Sequence, residues 1–241
     1  MFRVFCEWGP NGVARLSDVC EVTVIVDVLS FSTSVDIAAN RSIKILPYSG
    51  PMAGAQEFAE KHDAELARHR GKGGFSLSPY SFSTMPYVSR IVLPSPNGST
   101  LTLLAAESSI VLCGCLRNAK AIAKAIAKAC LGYESIGIIP AGERWPDGSL
   151  RPALEDWLGA GAIISSLKGS WSPEARAAAA AFGSYKDDLL AAICSCLSGK
   201  ELIDGGYRRD VEIACDYGSS DAVPRFSPPA YQNAAIDRSL D

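Results

Sequence analysis

The alternation of β-branched apolar segments with segments of helical periodicity constrains this chain more than any other feature. Residues 21–27 read Glu-Val-Thr-Val-Ile-Val-Asp, the pattern of a strand buried on both faces. Similar patterns predict further strands at 42–46, 90–93, 109–113 and 135–140, and helices at 35–40, 53–68, 99–107, 118–130 and 152–167. This alternation indicates right-handed βαβ units, and therefore an α/β fold whose mostly parallel sheet is covered by helices on both faces.

The C-terminal part of the chain has a different pattern. After about residue 168 strand-like segments become rare, and helices are predicted at 174–182, 186–197 and 200–207. The sequence has no internal repeat and no linker, so we expect one domain over residues 1–241, strand-rich up to 167 and helical from 168. Residues 70–89 form a long loop rich in Gly, Ser and Pro, a type that is usually functional or mobile.

Composition and charge exclude several classes of protein. The chain has 48% hydrophobic and 20% charged residues and a net charge of −3, values typical of a globular protein without a nucleic-acid-binding surface. We expect neither a membrane span nor a signal peptide, because the apolar runs are too short, and so a cytoplasmic protein with eight reduced cysteines. The pairs Cys113/Cys115 and Cys194/Cys196 lack the usual spacing of zinc ligands, which disfavours structural zinc.

Small polar residues stand at two predicted strand-to-helix junctions. Residues 97–100 read Asn-Gly-Ser-Thr, and residues 30–34 read Ser-Phe-Ser-Thr-Ser. The free amides and positive dipole of a helix start suit an anion, whereas helix capping by Ser99 with Gly98 at positive φ would explain the first turn equally well. Ligands of open α/β sheets bind beyond the carboxyl ends of the strands, so we expect both junctions to meet at one edge of the sheet.

Acidic residues occur at the same predicted edge. Asp27 ends an apolar strand, where a carboxylate is unfavourable to bury unless it is paired or holds a cation. Glu155 and Asp156 begin a predicted helix, where negative charge also complements the helix dipole. Asp27 together with Glu143, Glu155 or Asp156 would supply the hard oxygen ligands that Mg²⁺ prefers.

Other catalytic templates fit poorly. The sequence has no phosphate-binding loop of the G-x4-G-K-[ST] type, and Gly159-Ala-Gly161 lies within a predicted helix rather than after a strand. The two histidines, His62 and His69, both belong to or adjoin one predicted helix, which gives a Ser–His–Asp triad little support.

Five segments taken in order resemble one known family, that of the 2-phosphosulfolactate phosphatases. They are VIVDVLSFSTSV (24–35), LPSPNGST (93–100), CGCLRNAKAIAKAI (113–126), IIPAGERWPDGSLRPALEDWLGAGAII (138–164) and SGKELIDGGYRRDVEIACDYGSSDAVP (198–224). The resemblance covers most of the chain. It implies an α/β fold and a Mg²⁺-dependent hydrolase that converts 2-phospho-3-sulfolactate and water to 3-sulfolactate and phosphate, a reaction of coenzyme M biosynthesis in methanogens.

The resemblance also implies site residues. It matches family motif positions to Asp27, Asn97-Gly98, Asn118, Gly142 and Glu155-Asp156. Combined with the two hydroxyl-rich turns, it gives the expected site: Asp27, Glu155 and Asp156 as catalytic residues and Mg²⁺ ligands, with phosphate bound by Ser32, Thr33, Ser34, Asn97, Gly98, Ser99, Asn118 and Gly142. The attacking nucleophile is open at this point, either a water molecule or Asp27 itself.

The chain departs from the family pattern at several positions. Ser30 stands where the family has an Arg, residues 68–70 read Arg-His-Arg in place of Gly-Glu-Arg, residues 76–79 lack the Asn of Gly-Asn-Ser-Pro, and Glu143 replaces a Thr. Loss of a bidentate Arg predicts weaker recognition of a doubly anionic substrate, unless an arginine from another loop replaces it. The candidates are Arg70, Arg117 and Arg144.

Two alternative functions follow from these departures. One is a non-catalytic protein that binds a small anionic metabolite, and the other is a phosphatase for a different small phosphoester. In each case the expected partner is a small anion, without nucleic acid or membrane, and a homodimer is one option for assembly.

Overall fold

The computed structural model describes residues 2–129 and 133–234. Within these residues the strands are β1 (Arg3–Cys6), β2 (Val22–Val26), β3 (Lys44–Tyr48), β4 (Glu65–Leu66), β5 (Arg90–Pro94), β6 (Ile110–Gly114), β7 (Ser135–Pro140), β8 (Glu143–Arg144), β9 (Leu150–Arg151), β10 (Ser170–Trp171), β11 (Pro224–Ser227) and β12 (Ala230–Asn233). The helices are α1 (Gly9–Leu16), α2 (Phe31–Asn40), α3 (Met52–Lys61), α4 (Pro79–Thr84), α5 (Gly98–Ala105), α6 (Ala119–Ala129), α7 (Leu154–Ser165), α8 (Pro173–Tyr185), α9 (Leu189–Ser195), α10 (Leu197–Asp204) and α11 (Arg208–Ala214).

Ten of these strands form one sheet in the order β10-β1-β7-β2-β6-β11-β12-β3-β5-β4, and β8 and β9 form a separate hairpin. Most of the pairings within the large sheet are parallel. The predicted α/β fold, with a mostly parallel sheet and helices on both faces, is confirmed. No helix of the described residues combines the length and apolar character needed to cross a membrane.

The sheet consists of two parallel groups that an antiparallel hairpin joins. Strands β10, β1, β7, β2 and β6 are parallel to one another, as are β3, β5 and β4. Three antiparallel pairings lie between the groups, namely β6 with β11, β11 with β12, and β12 with β3. An odd number of reversals means that β3, β5 and β4 run opposite to β2 and β6 along the sheet, an arrangement that the sequence pattern did not predict.

The joining hairpin comes from the C-terminal part, which was expected to be helical. Helices α8 to α11 do follow residue 168, but β10, β11 and β12 are also present. The hairpin was missed because its strands have four residues each, too few for a clear alternation of apolar and polar positions. Pro224, Gln232 and Asn233 also weaken the strand pattern.

Several element boundaries differ from the sequence prediction. The helix predicted at 53–68 ends at Lys61, because Asp63 adopts a left-handed conformation with φ 50° and the chain then forms β4. Loop 70–89 contains the short helix α4. The helix predicted at 118–130 spans Ala119–Ala129, and Cys130 lies outside the described residues. Strand β1 and helices α1 and α11 were not predicted.

Strand β2 contributes to hydrophobic cores on both faces of the sheet. Val24 packs into the core under α6, α7 and α8, whereas Ile25 points into the core under α1, α2 and α5. Both side chains are fully buried. Because successive strand residues face opposite sides, burial of the whole strand requires helices on both faces. The end of β2 is therefore enclosed on both sides.

Removal of the Tyr231 ring tests the role of the hairpin. Tyr231 of β12 is buried, packs against the rings of Phe31 and Phe226, and shares a 2.8 Å hydrogen bond with Thr102 of α5. We expect Tyr231→Ala to lower the free energy of unfolding by about 3–5 kcal/mol in urea denaturation. The control Tyr185→Ala removes a side chain at an exposed position and should change it by less than about 0.5 kcal/mol. Equal effects of the two substitutions would contradict this role.

Candidate active site

Asp27 lies at the point where three elements of the fold meet. It follows β2 directly, and its carboxylate accepts hydrogen bonds from the first amides of two helices: Phe31 N–H of α2 to Oδ1 at 3.1 Å, and Gly98 N–H of α5 to Oδ2 at 2.9 Å. Four strands separate β2 from β5 in the sheet, yet the turn after β5 reaches Asp27. The structure therefore brings Asp27 and the Asn97-Gly98 turn together.

Gly98 is required by close packing rather than by a positive φ. A Cβ atom at this position would lie 2.2 Å from Cδ1 of Phe31. Gly98 is absent from the residues with positive φ, so the turn conformation expected from the sequence is not adopted. Ser99 does not cap the helix either, since its hydroxyl donates to the carbonyl oxygen of Leu93 at 2.8 Å. The absence of a side chain at 98 allows α5 to approach Asp27.

The hydroxyl groups at 32–34 are already used inside the protein. Ser32 accepts the amide hydrogen of Asp27 at 2.9 Å and is completely buried. Thr33 and Ser34, also completely buried, donate to main-chain oxygens at 2.8 and 3.3 Å. Because these hydroxyls and that of the buried Ser99 already bond within the protein, we leave all four residues out of the proposed phosphate site.

The side chain of Asn118 likewise bonds to main-chain groups inside the protein. Its Oδ1 accepts the amide hydrogen of Cys115 at 2.8 Å, and its Nδ2 donates to the carbonyl oxygen of Cys113 at 3.1 Å. The side chain is fully buried and closes the loop between β6 and α6. We therefore also leave Asn118 out of the proposed phosphate site.

Asp156 connects the ends of two neighbouring strands. Its Oδ1 accepts the amide hydrogen of Val28 at 2.7 Å, and its Oδ2 accepts that of Gly142 at 2.8 Å. Gly142 has φ 68°, and a Cβ there would lie 2.9 Å from the carbonyl oxygen of Arg151. Asp156 thus holds the loops after β2 and β7 against α7, with both carboxylate oxygens occupied by main-chain donors.

Four acidic side chains lie close enough to affect one another, and we call them the acidic cluster: Asp27, Glu143, Glu155 and Asp156. Burial raises the pKa of Asp27 to about 6; the amides of Phe31 and Gly98 oppose this shift and the charge of Glu155 adds to it. Burial, followed by the charges of Glu155 and Asp27, raises the pKa of Asp156 well above its usual range. The cluster therefore concentrates negative charge in a region with little water.

Glu143 joins this cluster from the β8–β9 hairpin. Its Oε2 accepts a hydrogen bond from Nδ2 of Asn97 at 2.9 Å. Burial and then the charge of Asp27 raise the pKa of Glu143 to about 7, while the Asn97 hydrogen bond lowers it. Glu143, which follows directly on the Ala141-Gly142 motif at the end of β7, was expected as one of the carboxylates that could join Asp27 in holding Mg²⁺, but it was not assigned a catalytic role.

The expected trio of metal ligands does not form a preassembled metal site. Across residues 2–129 and 133–234, no group of three or more His, Cys, Asp or Glu side chains is arranged to hold a metal ion. Both oxygens of Asp156 accept main-chain hydrogen bonds, as do both oxygens of Asp27, so a metal ion would have to bind the remaining lone pairs of these oxygens. Glu155 is buried, and its Oε2 accepts a weak hydrogen bond from Sγ of Cys196 at 3.4 Å.

Two cavities flank the turn between β5 and α5. The first, which we call the arginine cavity, has a volume of about 590 Å³, and its lining includes Arg68, His69, Arg70 and Ser95. The second, of about 350 Å³, is lined by Asn97, Glu143 and the β8–β9 hairpin. Pro96 contributes to both. The cavity on one side of the turn therefore includes three basic side chains in its lining, and the cavity on the other side includes both Glu143 and Arg144.

The sequence model of the 2-phosphosulpholactate phosphatase family matches residues 12–228. The chain belongs to this family. A probable 2-phosphosulfolactate phosphatase of Gloeobacter violaceus is 25% identical over 214 residues, which cover 85% of this chain and 88% of the relative. The 2-phosphosulfolactate phosphatase of Methanothermobacter thermautotrophicus is 27% identical over 210 residues, which cover 84% of this chain and 85% of the relative. The 2-phosphosulfolactate phosphatase of Methanocaldococcus jannaschii is 28% identical over 134 residues, which cover 56% of this chain and 54% of the relative.

The structure distinguishes the three arginines that could replace the family Arg at Ser30. Nη2 of Arg70 donates to the Ser30 hydroxyl at 2.6 Å. Arg117 instead pairs with the buried Asp36 at 2.9 Å, and Arg144 donates to the carbonyl oxygen of Gly148 in its own hairpin. Arg70 therefore brings a guanidinium group to this position of the phosphatase fold from a loop 40 residues away in sequence.

Substitution of Gly98 tests the close approach of α5 to Asp27. We expect Gly98→Ala to lower the free energy of unfolding by about 1–3 kcal/mol, because its Cβ overlaps the Phe31 ring. The matched control is Gly183→Ala in α8, where no atom beyond the adjacent residues and the backbone of its own helix lies within 4 Å of the added Cβ, and it should stabilise the protein by about 0.5–1 kcal/mol. Denaturation of both variants measures the difference; a fully stable Gly98→Ala protein would refute the argument.

Proposed function

We propose that this family member is a Mg²⁺-dependent phosphatase of small phosphomonoesters, with 2-phospho-3-sulfolactate as the first candidate substrate. Family membership supports phosphoric monoester hydrolysis. The single observation that carries the site assignment is the position of Asp27, held between the starts of α2 and α5 in the acidic cluster. The nearby arginine cavity offers basic side chains to an anionic substrate.

The residues of the acidic cluster are suited to a divalent cation. The Asp27 and Glu155 side chains are both buried, and burial first, then the charge of Glu155, raises the pKa of Asp27. The charge of Arg70 opposes this shift but does not cancel it, so a further positive charge would stabilise the pair. Carboxylate oxygens are the ligands that Mg²⁺ prefers, and Mg²⁺ commonly takes only one or two of them along with water. We propose Asp27 and Glu155 as its ligands, with Asp156 holding the adjacent loops. When bound, the ion would neutralise phosphate oxygens.

Glu143 is our candidate for the general base. Its pKa of about 7 matches the range in which a carboxylate can accept a proton efficiently near neutral pH. Asn97 binds Oε2, which fixes the side chain and leaves Oε1 to accept a proton from an attacking water. We therefore favour water over Asp27 as the nucleophile, because both oxygens of Asp27 already accept main-chain hydrogen bonds.

The alternative of a non-catalytic binding protein loses its main support. It depended on the missing Arg at Ser30, but Arg70 supplies a guanidinium group beside that residue. A cytoplasmic location is also proposed, supported by the free thiols of the cysteines in the described residues. The homodimer stays a prediction.

Phosphate release measures the proposed activity directly. We expect Mg²⁺-stimulated release from 2-phosphosulfolactate in a panel that also contains other small phosphomonoesters. Asp27→Asn should lower kcat by about 100-fold or more, because it removes a metal-binding charge. The control Asp187→Asn makes the same change at an exposed position and should retain full activity. Absence of metal-stimulated release throughout the panel, or full activity of Asp27→Asn, would refute the proposal.

The raised pKa values predict how stability depends on pH and Mg²⁺. With pKa values of about 6 and 7, Asp27 and Glu143 hold protons in the folded protein where the unfolded chain has lost them. This contribution to stability is complete below the unfolded pKa values of about 4 and is lost as the pH rises through about 6 to 7. Mg²⁺ should therefore raise Tm by about 5 °C at pH 8 but not at pH 5.

Thermal unfolding at the two pH values, with and without Mg²⁺, measures this effect. Asp27→Asn should abolish the Mg²⁺-dependent shift, whereas Asp187→Asn should keep it. The same shift at both pH values would contradict the assignment of the ion to these carboxylates.

A further inference from the structure

A buried aspartate from the C-terminal helices lies directly behind Arg70. Asp210 of α11 is only 1% exposed, and its Oδ2 lies 3.4 Å from Nε of Arg70, an ion-pair distance without hydrogen-bond geometry. Its other oxygen, Oδ1, accepts the Ser78 hydroxyl hydrogen at 2.6 Å and the Tyr80 amide hydrogen at 3.1 Å. Asp210 thus connects α11 with loop 70–89 and with the arginine at the cavity.

The guanidinium group of Arg70 is held on further sides as well. Nη2 donates to the Ser30 hydroxyl at 2.6 Å and to the Leu77 carbonyl oxygen at 2.9 Å. The Tyr207 ring, which precedes α11, lies 5.5 Å from the guanidinium carbon. Nε and Nη2 therefore face protein, while the arginine side chain is 21% exposed and lines the arginine cavity. Its third nitrogen, Nη1, makes no hydrogen bond to the described part of the chain and is the atom available to a ligand.

The charges explain why this arrangement would be rigid. A carboxylate buried as deeply as Asp210 is strongly destabilised without a cation, and Arg70 is the cation with which it forms an ion pair. An arginine has several rotatable bonds, so holding it in one conformation before a ligand arrives reduces the entropy lost on binding. Since the Asp210 side chain is only 2% exposed, it does not contact a ligand directly, and Arg70 is its partner that lines the cavity.

We propose that Asp210 is a positioning residue, which holds Arg70 so that Nη1 binds an oxyanion of the substrate in the arginine cavity. The inference rests on the proposed function for the identity of the substrate, and it extends that function by naming a specificity determinant. It assigns a role to the GGYRRD segment at 205–210, in which Tyr207 and Asp210 contact Arg70. The oxyanion is either the phosphoryl group or a second acidic group of the substrate.

Binding of inorganic phosphate and of sulfate, measured by titration calorimetry, tests the positioning independently of turnover. We expect Arg70→Gln and Asp210→Asn each to raise the dissociation constant for phosphate by about tenfold, as expected for loss of a charge-assisted hydrogen bond. The double variant should bind no more weakly than Arg70→Gln, because Asp210 acts through Arg70. Arg70→Lys should restore binding only in part, since an ammonium group lacks the planar fork that Asp210 and Ser30 hold.

The matched control is Glu212→Gln, which removes one negative charge from the same helix at a position that pairs with Arg208 and Arg209. It should leave the dissociation constant within about twofold of the wild type. If Asp210→Asn does not fold, Ser78→Ala provides a milder test, because it removes only the 2.6 Å hydrogen bond that orients Asp210. It should weaken phosphate binding in the same direction.

Steady-state kinetics separates positioning from general destabilisation. Asp210→Asn should raise KM about tenfold and leave kcat within about threefold, the pattern of a lost ground-state contact. A smaller folded fraction would lower kcat without changing KM. If KM rises for 2-phosphosulfolactate but not for a monoester without a second acidic group, Arg70 binds that second group; if KM rises for both, it binds the phosphoryl group.

Three results would overturn the inference: unchanged phosphate binding in Asp210→Asn, additive losses in the double variant, or a wild-type protein that binds neither phosphate nor sulfate. The proposed function fails in a different way. If the anion binds with this dependence on Arg70 and Asp210 but no phosphoester is hydrolysed, the positioning role stands and the phosphatase assignment falls.

Discussion

The structure depends on how the carboxylate of Asp27 is stabilised at the closed end of β2. A charge in this position requires donors close by, and the first amides of α2 and α5 supply them at 3.1 and 2.9 Å. The same two hydrogen bonds fix where the helices begin. Gly98 has no side chain because the Phe31 ring occupies that space, and Ser32 accepts the Asp27 amide hydrogen from the other side. The same contacts therefore fix both the starts of the two helices and the position of the Asp27 carboxylate.

Around Asp27 the charges separate into two regions. The acidic cluster lies on one side, where burial and mutual repulsion raise the pKa values of Asp27 and Glu143 into the range of neutral pH. The arginine cavity on the other side carries Arg68, His69 and Arg70. A cation and an oxyanion bound side by side would match this separation, and this match links the family membership of the chain to a specific chemistry.

The C-terminal part of the chain contributes to both the fold and the site. Its hairpin joins the two parallel groups of strands, and Tyr231 anchors the hairpin beneath α5. Helix α11 places Asp210 behind Arg70, 140 positions further along the sequence. The guanidinium group beside Ser30 at the start of α2 therefore comes from Arg70 in loop 70–89, and it contacts residues that follow the strand-rich part of the chain.

The sequence by itself determined the α/β fold and most strands and helices, because periodicity is a local property. It also predicted that Asp27 and the Asn97-Gly98 turn would meet, as the hydrogen bond between Gly98 and Asp27 confirms. Only the tertiary structure decided that the two strand groups run in opposite senses and that the hydroxyls of Ser32 to Ser34 bond within the protein. It also decided that Asn97 binds Glu143, and that Arg70 is the candidate arginine that lies beside Ser30. These features depend on pairings between distant segments. The periodicity of a segment indicates which face of a helix or strand each residue occupies. The residue that it contacts across the fold depends on the free energy of the whole packed chain.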